Sequence, residues 1–92
     1  MPSFRIKKPY TMPREEVREA TLGLAEQLER KHGVTASWED DHTVSINASG
    51  VHGRMSFGNG VIDISVKLGL MAAMFERVMK KEVTRYLDEH VT

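Results

Sequence analysis

The hydrophobic pattern of this chain changes its period several times, and each change predicts a new element. Apolar and polar residues alternate over residues 4–7, which indicates a short first strand. Over residues 14–32 the apolar positions recur every three or four residues, which predicts an amphipathic helix. Gly33 follows directly and is typical of the left-handed residue that ends a helix. A second helical pattern over residues 70–90 predicts another helix.

Between the two predicted helices, four further alternating stretches predict strands. They cover residues 34–38, 44–48, 51–57 and 62–68. Two-residue turns at Ser49-Gly50 and Asn59-Gly60, with a three-residue loop Asp40-Asp41-His42, place the apolar residues of all four strands on one face. The pattern therefore predicts a four-stranded antiparallel meander and leaves the place of the first strand open.

These elements predict one α+β domain over residues 1–92, in the order β-α-β-β-β-β-α. We expect a two-layer sandwich in which both helices pack on the apolar face of the antiparallel meander. Gly53 belongs to that face, and its missing side chain predicts a helix packed closely above it. Glu82 falls within the apolar arc of the second helix, so we expect it to be exposed or to pair with Arg85 or with a basic residue of the first helix.

Composition and charge exclude several classes of function. The 13 Lys and Arg residues balance 13 Asp and Glu residues, which argues against a broad nucleic-acid surface and a polybasic membrane anchor. The absence of cysteine excludes disulfide bonds, thiol nucleophiles and cysteine-ligated metals. No apolar run approaches the roughly 20 residues that cross a bilayer. We therefore expect a soluble, cytoplasmic domain that binds no nucleic acid and has no transmembrane segment.

The face of the meander opposite the helices is polar. Its predicted cross-strand rows are Thr35–Asn47–His52–Lys67, Ser37–Ser45–Arg54–Ser65 and Glu39–Thr43–Ser56–Asp63. One interpretation is a solvated sheet face, which antiparallel sheets commonly have. The other is a binding platform formed by His52, Arg54, Asp63 and Lys67. This face has no aromatic residue apart from Trp38, which points to the core, and that absence argues against base stacking.

Motifs for metal binding and catalysis are weak in this sequence. The four histidines lie apart from one another, without the spacing of a metal-binding helix. Asp40-Asp41-His42 could ligate a metal, but acidic residues in a tight hairpin usually accept hydrogen bonds from turn amides. No Gly-x-Ser-x-Gly turn and no glycine-rich loop before a helix is present. We therefore expect no catalytic residues, no metal and no cofactor, and a protein that is not an enzyme.

The second predicted helix carries three methionines on its apolar face. One interpretation is that they only fill the core, because methionine adapts to irregular gaps. The other is a partly exposed association surface, for which the candidates are Leu22, Met71, Met74 and Met79. Monomers rarely leave large apolar patches uncovered, so the second interpretation predicts a homodimer through the helices or a sheet edge.

Three short motifs resemble a known family: Trp38-Glu39-Asp40, Gly50-Val51-His52-Gly53 and Val66-Lys67-Leu68-Gly69-Leu70-Met71. With a basic first strand and an Arg-Glu-Glu helix start, they resemble the polyhydroxyalkanoic acid system proteins, short bacterial proteins encoded near polyhydroxyalkanoate synthesis genes. The resemblance covers nearly the whole chain, and its motifs are structural turns. This chain differs from the family near the end of the first strand, where the family often has a histidine and this chain has Tyr10.

The resemblance implies a bacterial cytoplasmic protein that acts at the surface of polymer granules. The first functional hypothesis is therefore a non-enzymatic accessory protein whose partner is a polyhydroxyalkanoate granule or a granule-associated protein. The alternative is a protein-interaction or regulatory module that uses the polar sheet face through Arg54, Lys67 and His52.

Overall fold

A five-stranded antiparallel sheet forms one layer of the protein, and two helices on one of its faces form the other. The computed structural model describes residues 3–92. The elements are β1 (Ser3–Pro9), α1 (Arg14–His32), β2 (Thr35–Asp40), β3 (Thr43–Ala48), β4 (Val51–Gly58), β5 (Val61–Leu68), a 3₁₀ segment (Leu70–Phe75) and α2 (Glu76–His90). The predicted α+β class and the order β-α-β-β-β-β-α are confirmed.

The strand order across the sheet is β1-β5-β4-β3-β2. The predicted meander of β2 to β5 is confirmed, and β1 lies at the edge, antiparallel to β5. Helix α1 therefore connects the two edges of the sheet. Its 19 residues give it a length of about 28 Å, enough to cross five strands spaced about 4.8 Å apart. At the β2 edge, the amide of Ala36 donates to Glu29 Oε2 on α1 at 3.2 Å.

The predicted register is confirmed at all three turns, and two of them, Ser49-Gly50 and Asn59-Gly60, also have the predicted two-residue length. Ala48 is opposite Val51 across the first, and Phe57 is opposite Ile62 across the second. Asn59 and Gly60 both have positive φ, 52° and 78°, which is the backbone that a two-residue hairpin of this kind requires.

At the turn between β2 and β3, Trp38 is opposite Val44 as predicted, but the predicted three-residue loop is wrong. The structure has a two-residue turn, because β2 extends to Asp40 and an irregularity after Trp38 places Asp40 opposite Thr43. The predicted pairing of Glu39 with Thr43 is therefore wrong, because Asp40 lies opposite Thr43 instead. The carboxylate of Asp40 accepts a hydrogen bond from the amide of His42 at 2.9 Å, which holds the tighter turn.

The core lies between the helices and the apolar sheet face. Leu24 and Leu28 of α1, Val83 and Leu87 of α2, and Ile46, Met55 and Ile64 of the sheet are fully buried there. Helix α1 packs on β4, the strand that contains Gly53, but the atoms nearest to Gly53 belong to the sheet itself. A Cβ at Gly53 would lie 2.7 Å from Cγ1 of Ile46 on the neighbouring strand, so a cross-strand side chain occupies the space.

The second helix begins later than predicted. Residues 70–75 form a 3₁₀ turn, and α2 starts at Glu76. The amide of Gly69 donates to the carbonyl of Gly50 at 2.8 Å, which fixes the start of this segment on the β3–β4 turn. A 3₁₀ helix has three residues per turn, so Ala72, which is buried, and Met71, which is exposed, lie on different sides of it.

Helices α1 and α2 contact each other in antiparallel orientation. Glu82 of α2 accepts hydrogen bonds from Gln27 and Lys31, each at 3.1 Å, and lies 2.7 Å from Nε2 of His32. This confirms the expected pairing of Glu82 with a basic residue of the first helix. One turn further along, Gly23 of α1 lies against the hydroxyl of Tyr86, at the place that a Cβ would occupy. Within residues 3–92, no helix is both long and apolar enough to span a bilayer.

Candidate functional site

The four residues predicted for the polar platform lie on one face of the sheet. His52 is opposite Lys67, Arg54 is opposite Ser65, and Ser56 is opposite Asp63. Together with Arg5 they line a shallow depression of about 420 Å³. We call this surface the polar sheet face. Its charged and titratable side chains are Arg5, Lys7, Glu39, His52, Arg54, Asp63 and Lys67.

Two bidentate ion pairs fix the guanidinium groups of this face. Arg5 donates to both oxygens of Asp63, at 3.0 and 2.6 Å. Arg54 donates to both oxygens of Glu39, at 3.0 and 2.8 Å. The hydrogen bond from Arg5 holds the pKa of Asp63 below its usual value; partial burial opposes this shift, and the charges of Arg5 and Lys7 reinforce it. Bidentate geometry of this type restrains both partners, although exposed pairs contribute little to stability.

The sequence could not identify Arg5 as part of this face. Its contact with Asp63 exists only because β1 pairs with β5, and nothing local in the sequence indicates that pairing. Lys7 is opposite Asp63 on the same strand pair. Within the described strands, Lys7 and Lys67 form no ion pair, so the four cations of the polar sheet face exceed its two carboxylates. The face can therefore hold a polar or anionic group.

The β2–β3 turn brings together the residues considered for a metal. Ligand atoms of Asp40, Asp41 and His42 lie within 4.8 Å of one another, and all three residues are exposed. Asp40 accepts the amide hydrogen bond of the turn, and Asp41 lies 3.0 Å from Nδ1 of His42 and 3.3 Å from Arg14. These hydrogen bonds lower the pKa of both carboxyl groups. Asp40 therefore accepts a turn amide, as the sequence predicts, whereas Asp41 contacts the side chains of His42 and Arg14.

The largest exposed apolar side chains are clustered around the 3₁₀ segment. Leu70 is 90% exposed, Met71 91% and Met74 77%. Phe75 and Val78 are also exposed. We call Leu70, Met71, Met74, Phe75 and Val78 the apolar patch. In the sequence, closely spaced apolar residues directly after Gly69 indicate this patch. A helical wheel, however, places most of them towards the core.

Two of the four residues predicted for an association surface are available for contact. Met71 and Met74 belong to the apolar patch and are exposed, as predicted. Met79 is only 1% exposed, so its assignment to an association surface is wrong. The physical reason is that Met79 lies on the inner side of α2 with Val83 and Leu87, whereas Met71 and Met74 belong to the 3₁₀ segment before it. Leu22 lies half-buried on α1.

A small depression of about 260 Å³ lies beneath the apolar patch. Ala72, Phe75 and Met79 form one wall, and Ala48 and Val51 of the β3–β4 turn form another. Lys31 and His32 lie at its rim, next to Glu82. Burial raises the pKa of Glu82, but the hydrogen bonds from His32, Lys31 and Gln27 outweigh it and leave that pKa below its usual value. Glu82 is therefore a charged acceptor that holds the end of α1 against α2.

Comparison with known proteins gives one result for nearly the whole chain. A family described as "Putative polyhydroxyalkanoic acid system protein" matches residues 4–91. The match includes every strand and both helices, as well as the residues of the polar sheet face and of the apolar patch. No curated protein matches the chain.

Proposed function

Because the chain belongs to the polyhydroxyalkanoic acid system family, which gives it a role in that system, we propose that it is a non-enzymatic accessory protein of the bacterial cytoplasm. In this proposal it binds the surface of polyhydroxyalkanoate granules. The observation that carries the proposal is the apolar patch, in which Leu70 and Met71 are each about nine-tenths exposed. Soluble monomers rarely leave such clusters uncovered without a function.

The size of the patch is sufficient for binding to an apolar polymer. Transfer of one large aliphatic or aromatic side chain from water to an apolar environment is worth about 1.5–3 kcal/mol. Leu70, Met71 and Met74 are almost fully exposed in the free protein. Insertion of these three therefore supplies roughly 5–9 kcal/mol before the costs of association are subtracted. The half-exposed Phe75 and Val78 add about 1.5–3 kcal/mol. After an association cost of at least about 4 kcal/mol, the net affinity reaches the micromolar range, about 8 kcal/mol, only at the upper end of these values.

Cosedimentation with lipid-free polyhydroxybutyrate particles tests this proposal. We expect the wild-type protein to pellet with the particles and the triple variant Leu70→Ser/Met71→Ser/Met74→Ser to remain in the supernatant. The replaced side chains are exposed, so the variant should keep the thermal midpoint of the wild type. The matched control Arg54→Ala/Lys67→Ala changes the opposite face of the sheet and should pellet normally. Equal pelleting of the wild type and the triple variant would refute the role of the patch.

A second candidate function is a protein-interaction module that uses the polar sheet face. The observation that favours it is the pair of immobilised guanidinium groups beside Lys67, which has no ion pair among the described residues. An acidic partner protein fits this arrangement. Charge reversal in Arg54→Glu/Lys67→Glu should then weaken pull-down of the partner and leave the thermal midpoint unchanged. Unchanged pull-down would eliminate this surface.

The homodimer expected from the sequence stays a prediction. Since Met79 is buried and Leu22 is half-buried, a helix-mediated dimer would depend mainly on Met71 and Met74. These residues are also the ones that we assign to granule binding. A dimer through a sheet edge would instead leave the apolar patch free.

A further inference from the structure

Basic residues lie next to the apolar patch on the exposed side of α2. Residues 70–85 contain four cations, Arg77, Lys80, Lys81 and Arg85, and two carboxylates, Glu76 and Glu82. All four cations are exposed. Glu82 already pairs with Lys31 and His32, so its charge is compensated within the protein. This part of the surface is therefore positive, although the chain as a whole has no net formal charge.

The spacing along α2 places cations and apolar residues on the same side. Met79, Val83 and Leu87 are buried and define the inner side of the helix. Val78, Lys81 and Arg85 are spaced by three and four residues on the opposite side, and Arg77 lies beside them. Among the described residues, Arg77, Lys80 and Lys81 form no salt bridge, and Arg85 lies 3.7 Å from Glu89. Free cations therefore border the apolar side chains.

An apolar insertion flanked by lysine and arginine is the arrangement by which proteins bind at anionic lipid surfaces. The same charges argue against a second copy of this chain as the occupant of the patch. A two-fold contact brings the same surface of both copies together, so Arg77 and Lys81 of one copy would lie near those of the other. Repulsion between these like charges opposes that contact, whereas lipid phosphates attract them.

The charge of α1 is opposite in sign to that of residues 70–85. Glu15, Glu19 and Glu26 are exposed and follow one another along one side of α1. An anionic surface repels these carboxylates and attracts Arg77, Lys80 and Lys81 in the first turns of α2, whereas Asp88 and Glu89 make the end of α2 acidic. The protein would therefore approach such a surface with the start of α2 first, which is where the apolar patch lies.

We propose that the apolar patch inserts into an anionic phospholipid surface, with Arg77 and Lys81 at the headgroup phosphates. This inference rests on the proposed function of the patch as a granule contact, and it specifies that the contacted surface carries anionic lipid. The neutral overall composition, which argues against a polybasic anchor, hides this local segregation of charge.

Vesicle flotation tests the inference with phosphatidylcholine vesicles that contain or lack phosphatidylglycerol. We expect binding to the anionic vesicles and little binding to the neutral ones. Each basic residue near an anionic surface contributes about 1 kcal/mol, or about fivefold in affinity. Arg77→Ala/Lys81→Ala should therefore bind anionic vesicles roughly 30-fold more weakly. The matched control Arg54→Ala/Lys67→Ala removes two cations from the opposite face and should change binding by less than about twofold.

The possible outcomes separate this inference from the proposed function. Equal binding to neutral and anionic vesicles, or equal losses in both double variants, would overturn the inference. Binding to lipid-free polyhydroxybutyrate particles without binding to anionic vesicles would also overturn it and would leave the proposed function intact. Binding to anionic vesicles that is lost in Arg77→Ala/Lys81→Ala would support it, even if the lipid-free particles do not bind.

Discussion

Replacement of Gly23 by alanine should destabilise the protein, although alanine is the better helix former. In an exposed helix interior, Gly→Ala stabilises by about 1 kcal/mol. At this position a Cβ would overlap the hydroxyl of Tyr86 and would lie 3.3 Å from its Cζ. The ring of Tyr86 also stacks on His90, with 4.1 Å between the ring centroids, so it cannot move without losing this contact. The steric overlap therefore destabilises the folded protein, whereas the higher helix propensity of alanine stabilises it.

The two effects can be separated with a second substitution. Overpacking costs about 1–3 kcal/mol, so Gly23→Ala in the wild-type background should lower the free energy of unfolding by about 1 kcal/mol in net terms. In a Tyr86→Phe background the overlapping hydroxyl is absent and only the tighter contact with Cζ remains. There, Gly23→Ala should be neutral or should stabilise by about 0.5 kcal/mol. The coupling energy between the two positions should therefore be about 1–2 kcal/mol.

Urea denaturation of the four proteins of this cycle, followed by far-ultraviolet circular dichroism, measures the coupling. For a domain of this size, about 1 kcal/mol corresponds to a shift of roughly 4–8 °C in the thermal midpoint. Thr84→Ala, at an exposed position of α2, is a control for helix propensity alone and should stabilise slightly. Stabilisation by Gly23→Ala in both backgrounds would refute the argument, because it would show that Tyr86 does not occupy this space.

Three further predictions concern acid stability, the sheet and self-association. The pKa of Glu82 is lowered in the folded protein, so the stabilisation by Glu82 is complete above the usual pKa of 4.5 and is lost as the pH falls through the folded pKa. In urea denaturation, Glu82→Gln should lower the free energy of unfolding by about 1–2 kcal/mol at neutral pH, and the difference from the wild type should decrease in acid. A difference that does not depend on pH would contradict this. Gly53→Ala should cost about 1–3 kcal/mol by the same measurement. The cost should decrease in an Ile46→Ala background, which lacks both Cγ1 and Cδ1, the atoms 2.7 and 2.9 Å from the new Cβ, and an unchanged cost would contradict the contact. Sedimentation velocity at micromolar concentration should detect the homodimer. Met71→Glu/Met74→Glu should dissociate it if the helices form the interface and should leave a dimer through a sheet edge intact. A 10.4 kDa species at all concentrations would exclude the dimer.

The predictable parts of the fold are those that local interactions determine. Arg14–His32 is helical as predicted, and Gly33 ends it with φ 68° because a left-handed residue is required there. The Asn59-Gly60 turn sets the register of β4 with β5 through two positive φ angles. From that register alone, His52, Arg54, Asp63 and Lys67 could be placed on one face.

The parts that could not be predicted depend on contacts between distant residues. The hydrogen bond from Gly69 to Gly50 starts the 3₁₀ segment, and without it the pattern of residues 70–75 is indistinguishable from a helix. Met71 and Met74 are exposed in this 3₁₀ segment, whereas Met79 is buried on the inner side of α2. Arg5 escaped prediction for a related reason, since its partner Asp63 is on a strand that is distant in sequence.

The pairing of β1 with β5 also has a consequence for the order in which the protein folds. The hairpins between β2 and β5 close loops of only two residues, whereas Phe4 of β1 must find Val66 of β5. Closing a longer loop has a larger entropic cost, so contacts between distant residues form late. During synthesis on the ribosome, β1 emerges before the other four strands of this sheet, but it has no partner until β5 has also emerged. The strand that is made before the others is thus among the last to be incorporated into the sheet.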